Sequence, residues 1–317
     1  MTKKIVLAGI RPTGQLHYGH YYGFLEKLIS LQDSHDCYLL IADMQVLGDK
    51  IEKHNSLNQL SLNLVQQMVH AGVNPAKTVI YKQSDLFYET LELTYYLSLF
   101  TNYNNITHIP SVKEALPDNP SLSFLTYPVS QAADIALIRP DQVLVGNDQL
   151  PLIELANKLF ARFNSLLQDP TLTLPDTTPV LSDTAKIPGI GTMPSSAKMS
   201  KSLNNALYIN DIELDNKIKS AYTDALKLTA KTPGHPDQCT IAQISKAFGS
   251  DPSDSCSTGA LGCKDCKASL LSLIKAKDQS FSSADINPEK ILAHGVFHVR
   301  ERAKDLTLFL KHKVFVS

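Results

Sequence analysis

The sequence predicts an α/β protein: a doubly wound parallel sheet, followed by a mostly helical region. Three observations carry this. Short apolar runs recur at residues 4–10, 37–43, 79–81 and 143–145. Runs apolar on both faces suit parallel strands covered by helices. Between them lie helical stripes, one through Leu57, Leu60, Leu64 and Met68 and one over residues 150–163 through Ile153, Asn157 and Phe160. After about residue 183 the strand pattern stops. Strand–helix alternation of this kind argues for a doubly wound sheet.

Composition bounds the classes. The chain has 317 residues, 43% of them hydrophobic and 19% charged, enough to bury a core without disulfide staples. That length suggests about two domains. Lys and Arg number 30 against 31 Asp and Glu, a net charge of −1, so no global basic field advertises a nucleic-acid partner. No apolar stretch reaches the length of a membrane span. The apolar run at residues 5–10 is too short for a signal peptide and ends in Arg-Pro-Thr-Gly. A cytoplasmic location is the expectation.

The first strand, residues 4–10, runs into Arg11-Pro-Thr-Gly-Gln-Leu-His-Tyr-Gly-His20. Pro12 and Gly14 make a turn. His17 and His20, three apart at a helix entry, share a face. Free N–H groups at a helix start attract phosphate, imidazoles donate to its oxygens, and Gly19 lets backbone approach a ligand. Ligands of such sheets collect beyond the carboxyl ends of the strands. Those ends are residues 9–20, 43–49, 82–85 and 146–149.

Residues 187–196 are rich in Gly, Pro and Ser without an apolar period and read as a mobile loop. Lys198-Met-Ser-Lys-Ser202 follows, two lysines and two serines able to grip a polyphosphate as charge builds on it. Gly189-Ile-Gly-Thr-Met-Pro lacks the third glycine and the preceding strand of a dinucleotide fingerprint and is discarded. Beyond residue 204 the pattern is helical. Asn287-Pro288 reads as the cap and first residue of a last helix over 288–312.

Cys239, Cys256, Cys263 and Cys266 fall in one C-terminal window, ending in a C-x2-C. Four thiolates suit zinc or an iron–sulfur cluster; four unlinked thiols are the other reading. Cys37 sits inside a strand as core packing. Residues 264–317 hold ten Lys/Arg against six Asp/Glu. That local excess suits nucleic-acid phosphates, or simply a solvated helix face.

His-x-Gly-His followed by Lys-Met-Ser-Lys-Ser resembles the paired signatures of class I aminoacyl-tRNA synthetases. Nearly the whole chain is similar to the bacterial-type tryptophanyl-tRNA synthetase family. Gly9-Ile-Arg-Pro-Thr-Gly, Ile41-Ala-Asp-Met-Gln45, Leu125-Thr-Tyr-Pro-Val-Ser-Gln-Ala-Ala-Asp-Ile135, Val145-Gly-Asn-Asp-Gln149 and Lys219-Ser-Ala-Tyr-Thr-Asp224 match in order. The resemblance implies a Rossmann-type catalytic domain over residues 1–203, a helical anticodon-binding domain over 204–295, and a terminal helix, 296–317, packing back. It implies activation of L-tryptophan by ATP with Mg2+, transfer to tRNA(Trp), and a homodimer. It gives His17, His20, Lys198 and Lys201 catalytic roles. It places Arg11, Pro12, Thr13, Gly19, His20, Gly146, Asn147, Asp148, Ile187, Lys198, Met199, Ser200, Lys201 and Ser202 on ATP. Asp134, with Tyr127, Gln131, Gln149 and Gln45, would take the tryptophan, Asp134 accepting from the indole N–H. A subset of the family carries a [4Fe–4S] cluster on cysteines like Cys239, Cys256, Cys263 and Cys266. The rivals are a tyrosyl-tRNA synthetase, a small-molecule adenylyltransferase and a non-catalytic tRNA-binding paralogue.

Overall fold

A computed structural model describes residues 3–49, 51–167, 172–182, 187–191 and 198–315. Its core is a five-stranded parallel sheet in the order β3-β2-β1-β4-β5. The strands are β1 (Lys4–Ile10), β2 (His35–Ile41), β3 (Thr78–Lys82), β4 (Gln142–Leu144) and β5 (Thr178–Val180). The four predicted strands are present, with β2 two residues earlier than predicted because Asp43 opens the helix Asp43–Asp49. The fifth has no counterpart in the apolar pattern. It is a three-residue Thr-Pro-Val edge strand, mostly exposed, where proline is tolerated and burial is not required.

Strand periodicity divides the core. Val6, Ala8, Leu39, Ile41 and Ile80 face one buried cluster, which also takes in Leu207, Ile209, Leu214, Ile241, Leu270 and Ile274 from the C-terminal half. Leu7, Leu40, Tyr81 and Val143 face the other, with the helices Leu122–Ile138 and Leu150–Leu167. The last helix, Pro288–Phe315, starts at the predicted proline, and the side chain of Asn287 accepts from the Lys290 amide at 2.8 Å. It crosses β3 so closely that a Cβ on Gly295 would lie 1.8 Å from the Ile80 carbonyl oxygen. Val296, Val299, Ala303, Leu306 and Leu310 fill the second cluster from this helix.

The predicted loop is only partly described. Residues 187–191 are not free: Ile187 and Ile190 are buried in the core, and Pro188 bridges to Lys198. Residues 192–196 lie outside the described residues. Among the described residues no helix is long and apolar enough to cross a membrane.

Strand order reverses direction at β1, since β2 lies on one side and β4 on the other. The crevice beyond the carboxyl ends of β1 and β4 is therefore the topological switch point, where such sheets bind ligands. Residues 11–20 and 146–149 leave from those two strand ends.

Candidate active site

His17 caps the short helix Tyr18–His20, its Nδ1 accepting from the His20 amide at 3.3 Å. An accepting Nδ1 leaves the proton on Nε2, available as a donor. The two imidazoles stack at 3.7 Å between centroids. A Cβ on Gly19 would stand 2.9 Å from His17 Nδ1 and 3.2 Å from Met199 Cβ, so only glycine fits between the ring and the lysine segment. Burial, then Lys201, lowers His17 to about 4. Burial, then His17, Lys201 and Lys198, lowers His20 to about 2. Both rings are neutral at pH 7 and act as hydrogen-bonding groups, with charge left to the lysines. The chain then makes a π turn over Tyr21–Leu25, a distortion frequent at functional sites.

The lysine segment folds onto this helix start. Residues 16–18 pair with 207–209: the Tyr18 amide donates to the Leu207 carbonyl at 2.9 Å and the Ile209 amide to Leu16 at 3.1 Å. This brings Lys201 Nζ to 3.3 Å from Thr13 Oγ1. Ser200 and Ser202 hydroxyls meet at 2.9 Å. Met199 is buried, and its amide donates to the Ile187 carbonyl. Arg11 is exposed and donates from Nη2 to the Gln45 carbonyl at 3.1 Å, while Pro12 is buried. Across the crevice, Gly146, Asn147 and Asp148 are exposed at the end of β4. A chain of side-chain bonds runs from Gln131 to Gln149 at 3.4 Å and from Gln149 to Asp148 at 2.7 Å. It ties the Leu122–Ile138 helix to the turn beyond β4.

Asp134 is buried on that helix. Its Oδ2 accepts from Gln83 Nε2 at 2.7 Å and its Oδ1 from Thr90 Oγ1 at 3.5 Å. Burial pushes its carboxyl up to about 8, against the pull of those two bonds and with Asp43 adding to it. Buried polar atoms rarely lack partners. Here Gln83 Oε1, the Tyr81 hydroxyl and His20 Nδ1 have none among the described residues. Gln83 bonds Asp134 directly, and Tyr81 is raised by burial and by Asp134's charge. Tyr127 is half-buried on the same helix, its ring 5.7 Å from Phe124. The arrangement offers a buried acceptor on the Leu122–Ile138 helix and, at the end of β1, a cluster of hydrogen-bond donors and cations.

A family model, tRNA synthetases class I (W and Y), matches residues 2–276. Over 319 residues the chain is 32% identical to the tryptophan–tRNA ligase of Thermotoga maritima, covering 94% of this chain and 95% of that protein. It belongs to the tryptophanyl-tRNA synthetases. The Borreliella burgdorferi tryptophan–tRNA ligase is 36% identical over 245 residues, 74% of this chain and 68% of that protein. The tryptophanyl-tRNA synthetase of Campylobacter jejuni, solved with ADP and tryptophan, superposes with a TM-score of 0.81 at 28% identity, over 98% of this chain and 99% of that one.

Three side chains at or near these strand ends are not singled out by the sequence, although Asp43 lies within the Ile41–Gln45 stretch. Gln83 and Thr90 hold Asp134, and Asp43 accepts from the Ser84 hydroxyl at 2.5 Å and its amide at 2.9 Å. Gln83 and Ser84 lie in the predicted strand end 82–85, which was their available signal. Asn205 is the fourth: its Oδ1 takes the Ser200 amide at 2.7 Å and its Nδ2 donates to the Lys198 carbonyl at 3.3 Å.

The cysteines lie at the far end of the helix Cys263–Ser280. Cys239 precedes the helix Thr240–Ala247, Cys256 lies on Ser253–Ser257, and Cys263 and Cys266 open Cys263–Ser280. Burial, then Cys239, Cys256 and Cys263, pushes the Cys266 thiol up to about 12, so the other three cysteines lie near enough to disfavour its thiolate. Their soft donor chemistry fits zinc or an iron–sulfur cluster. Among the described residues, no group of three or more ligating side chains is drawn to coordination distance.

Proposed function

We propose that this tryptophanyl-tRNA synthetase works as a tryptophan–tRNA ligase through the crevice beyond β1 and β4. The observation that carries the reading is the meeting of Lys201, Thr13, His17 and His20 at one strand end. In the first step the tryptophan carboxylate attacks the α-phosphorus of ATP in line, the bond to the bridging oxygen breaks, and pyrophosphate leaves. In the second, the tryptophanyl group passes to a hydroxyl of the terminal tRNA ribose and AMP leaves. The chain supplies no nucleophile, so positioning and charge stabilisation do the work.

His17 and His20 donate to phosphate oxygens. Lys198 and Lys201, with Ser200, Ser202 and the Met199 backbone, take the charge that develops on pyrophosphate. Arg11, Pro12, Thr13, Gly19 and Ile187 shape the nucleotide site, and Gly146, Asn147 and Asp148 receive the ribose. Asp134 accepts the indole N–H, with Tyr127, Gln131 and Gln45 lining the pocket and Gln149 reaching the ammonium. Mg2+ bound with ATP would supply neutralising charge for the polyphosphate that Lys198 and Lys201 grip.

We further propose residues 1–203 as the catalytic domain, 204–295 as the anticodon-binding domain and 296–317 as a terminal helix belonging to the first. Cys239, Cys256, Cys263 and Cys266 would hold a [4Fe–4S] cluster or Zn2+. A cytoplasmic homodimer completes the reading. The exposed apolar stripe Phe87, Leu91 and Tyr95 along the helix Phe87–Ser98, continued by Leu99 just beyond its end, supports the dimer.

ATP–pyrophosphate exchange tests the reading. Tryptophan should support exchange and tyrosine should not. Lys198→Ala and Lys201→Ala should each slow it by about 10²-fold or more while tryptophan binding holds. Exchange with tyrosine would favour the rival synthetase, and no exchange a non-catalytic paralogue.

A further inference from the structure

We infer that Asp278 is a positioning residue for the activation step, clamping the two ATP-gripping segments through one carboxylate oxygen. The inference rests on the roles proposed for His17, His20 and the lysine segment. Asp278 lies in the last turn of the helix Cys263–Ser280, far in sequence from either signature. Its Oδ1 accepts from the Tyr18 hydroxyl at 2.6 Å and from the Asn210 amide at 2.9 Å.

Each donor belongs to a different half of the site. Tyr18 is the variable residue inside His-x-Gly-His, flanked by His17 and Gly19, and it is fully buried. A phenol there needs a partner, and Asp278 is the one it finds. Asn210 follows the strand pairing of residues 207–209 with 16–18, by which the chain leaves the lysine segment. It takes φ +54°, a left-handed conformation that asparagine tolerates better than most residues.

The carboxylate stands where helix electrostatics do not favour it. The C-terminal turn of a helix attracts cations, and Asp278 is an anion there. What compensates is its pair of donors, and both lead to the active site. Packing fixes the same joint. The Tyr18 ring lies 4.8 Å from Phe248 and Tyr21 lies 5.3 Å from Phe281, with Lys277 Nζ 4.6 Å from the Tyr21 ring. These rings tie the helix start to the C-terminal helices, while the backbone pairing of residues 16–18 with 207–209 sets its register against the lysine segment. The bonds to Asp278 add direction, so the start of the Tyr18–His20 helix cannot turn relative to residues 208–211 without breaking one of them.

Removing the clamp should loosen the relation between the histidines and the lysines, which matters most when charge develops on pyrophosphate. Tyr18→Phe should lower kcat for tryptophan-dependent exchange about tenfold, the size of one directional bond, and raise KM for ATP, with KM for tryptophan unchanged. Asp278→Ala, which loses both bonds, should fall further, and Asp278→Asn, which keeps an acceptor, should recover most of the rate. The double variant should be no slower than Asp278→Ala alone, because both act through one oxygen. Wild-type kcat and ATP KM in Tyr18→Phe, or a loss shared equally by the tryptophan KM, would overturn the clamp. His17→Ala separates the two levels. If it slows exchange while Tyr18→Phe and Asp278→Ala do not, the clamp alone is wrong. If His17→Ala is also silent, the site reading beneath it is wrong. Tyr18→Phe preserves volume and keeps the test open should Asp278→Ala fail to fold.

Discussion

Burial acts on Asp134 and on the two signature histidines with opposite sign. Asp134 rises from 3.8 to about 8 on folding. Between those values the folded chain holds a proton that the unfolded chain has lost, so this residue's contribution to stability falls as pH rises from about 4 to about 8. His17 and His20 fall from 6.5 to about 4 and about 2. Below pH 6.5 the unfolded chain gains protons first, so their contribution is lost as pH falls. Asp134→Asn should therefore flatten the decline in Tm of the ligand-free protein between about pH 4 and about pH 8 and leave the histidine-linked loss below pH 6.5 unchanged. Equal Tm shifts at pH 5 and pH 9 would contradict the buried carboxyl. An indole N–H is best met by the ionised acceptor, so tryptophan should bind more tightly as pH rises from 6 to 8. Asp134→Ala should cut discrimination of tryptophan over phenylalanine by up to about 10⁴-fold; an unchanged ratio would place recognition elsewhere. Asp134 was legible in the sequence because a carboxylate after two alanines on an apolar helix needs a partner. Its protein partners were not, since Gln83 and Thr90 lie more than forty residues away and no spacing rule links them.

The lysine segment shows the same limit for a whole element. Its residue types announced phosphate chemistry, but its shape comes from Asn205, which no motif in the sequence singles out. Asn205 is buried and bonds two backbone groups of the segment, at Ser200 and Lys198. Its own backbone carbonyl takes the Ile190 amide at 2.8 Å. Residues 187–191 are thereby held to the core, where the sequence suggests a free loop; their apolar side chains are too sparse to make a period, yet Ile187 and Ile190 are buried. Removing a partner from buried polar groups costs about 1–3 kcal/mol. Asn205→Ala should lower kcat for exchange roughly tenfold by that measure, with KM for tryptophan little changed, and thermal melts should show a modest loss. Asn205→Asp keeps an acceptor for the Ser200 amide but cannot donate to Lys198, so it should fall between the two. An Asn205→Ala enzyme with normal kcat would show that substrate alone shapes the segment. At the sheet, strands buried on both faces were readable from composition, and β5 was not, because an exposed edge strand needs no apolar pattern.

At the scale of the molecule, the parallel sheet followed from its strand pattern, whereas its strand order and the docking of the C-terminal helices did not. Periodicity shows that a helix has an apolar face without saying which surface receives it. Leu270 and Ile274 share a cluster with β1 and β2, while Val299 and Leu306 reach the opposite face of the sheet. The helix Cys263–Ser280, about 27 Å long at 1.5 Å per residue, therefore has its cysteines at one end and Asp278 at the other. Chemistry at the cysteine end is thus a helix length from Asp278. It follows that the two half-reactions should separate. Protein prepared without oxygen should be brown, with broad visible absorption and iron matched by inorganic sulfide. A colourless protein with stoichiometric zinc would replace one metal by the other. Cys263→Ser should lose the metal and keep tryptophan-dependent exchange, because no cysteine touches the crevice beyond β1 and β4. Charging of tRNA should weaken in the same variant, and in the parent it should fall steeply with salt as phosphate contacts release counterions. If Cys263→Ser charges tRNA as well as the parent does, the four thiols serve neither half-reaction. If it loses exchange and charging together, the cysteine end is needed to hold the shared core rather than the tRNA.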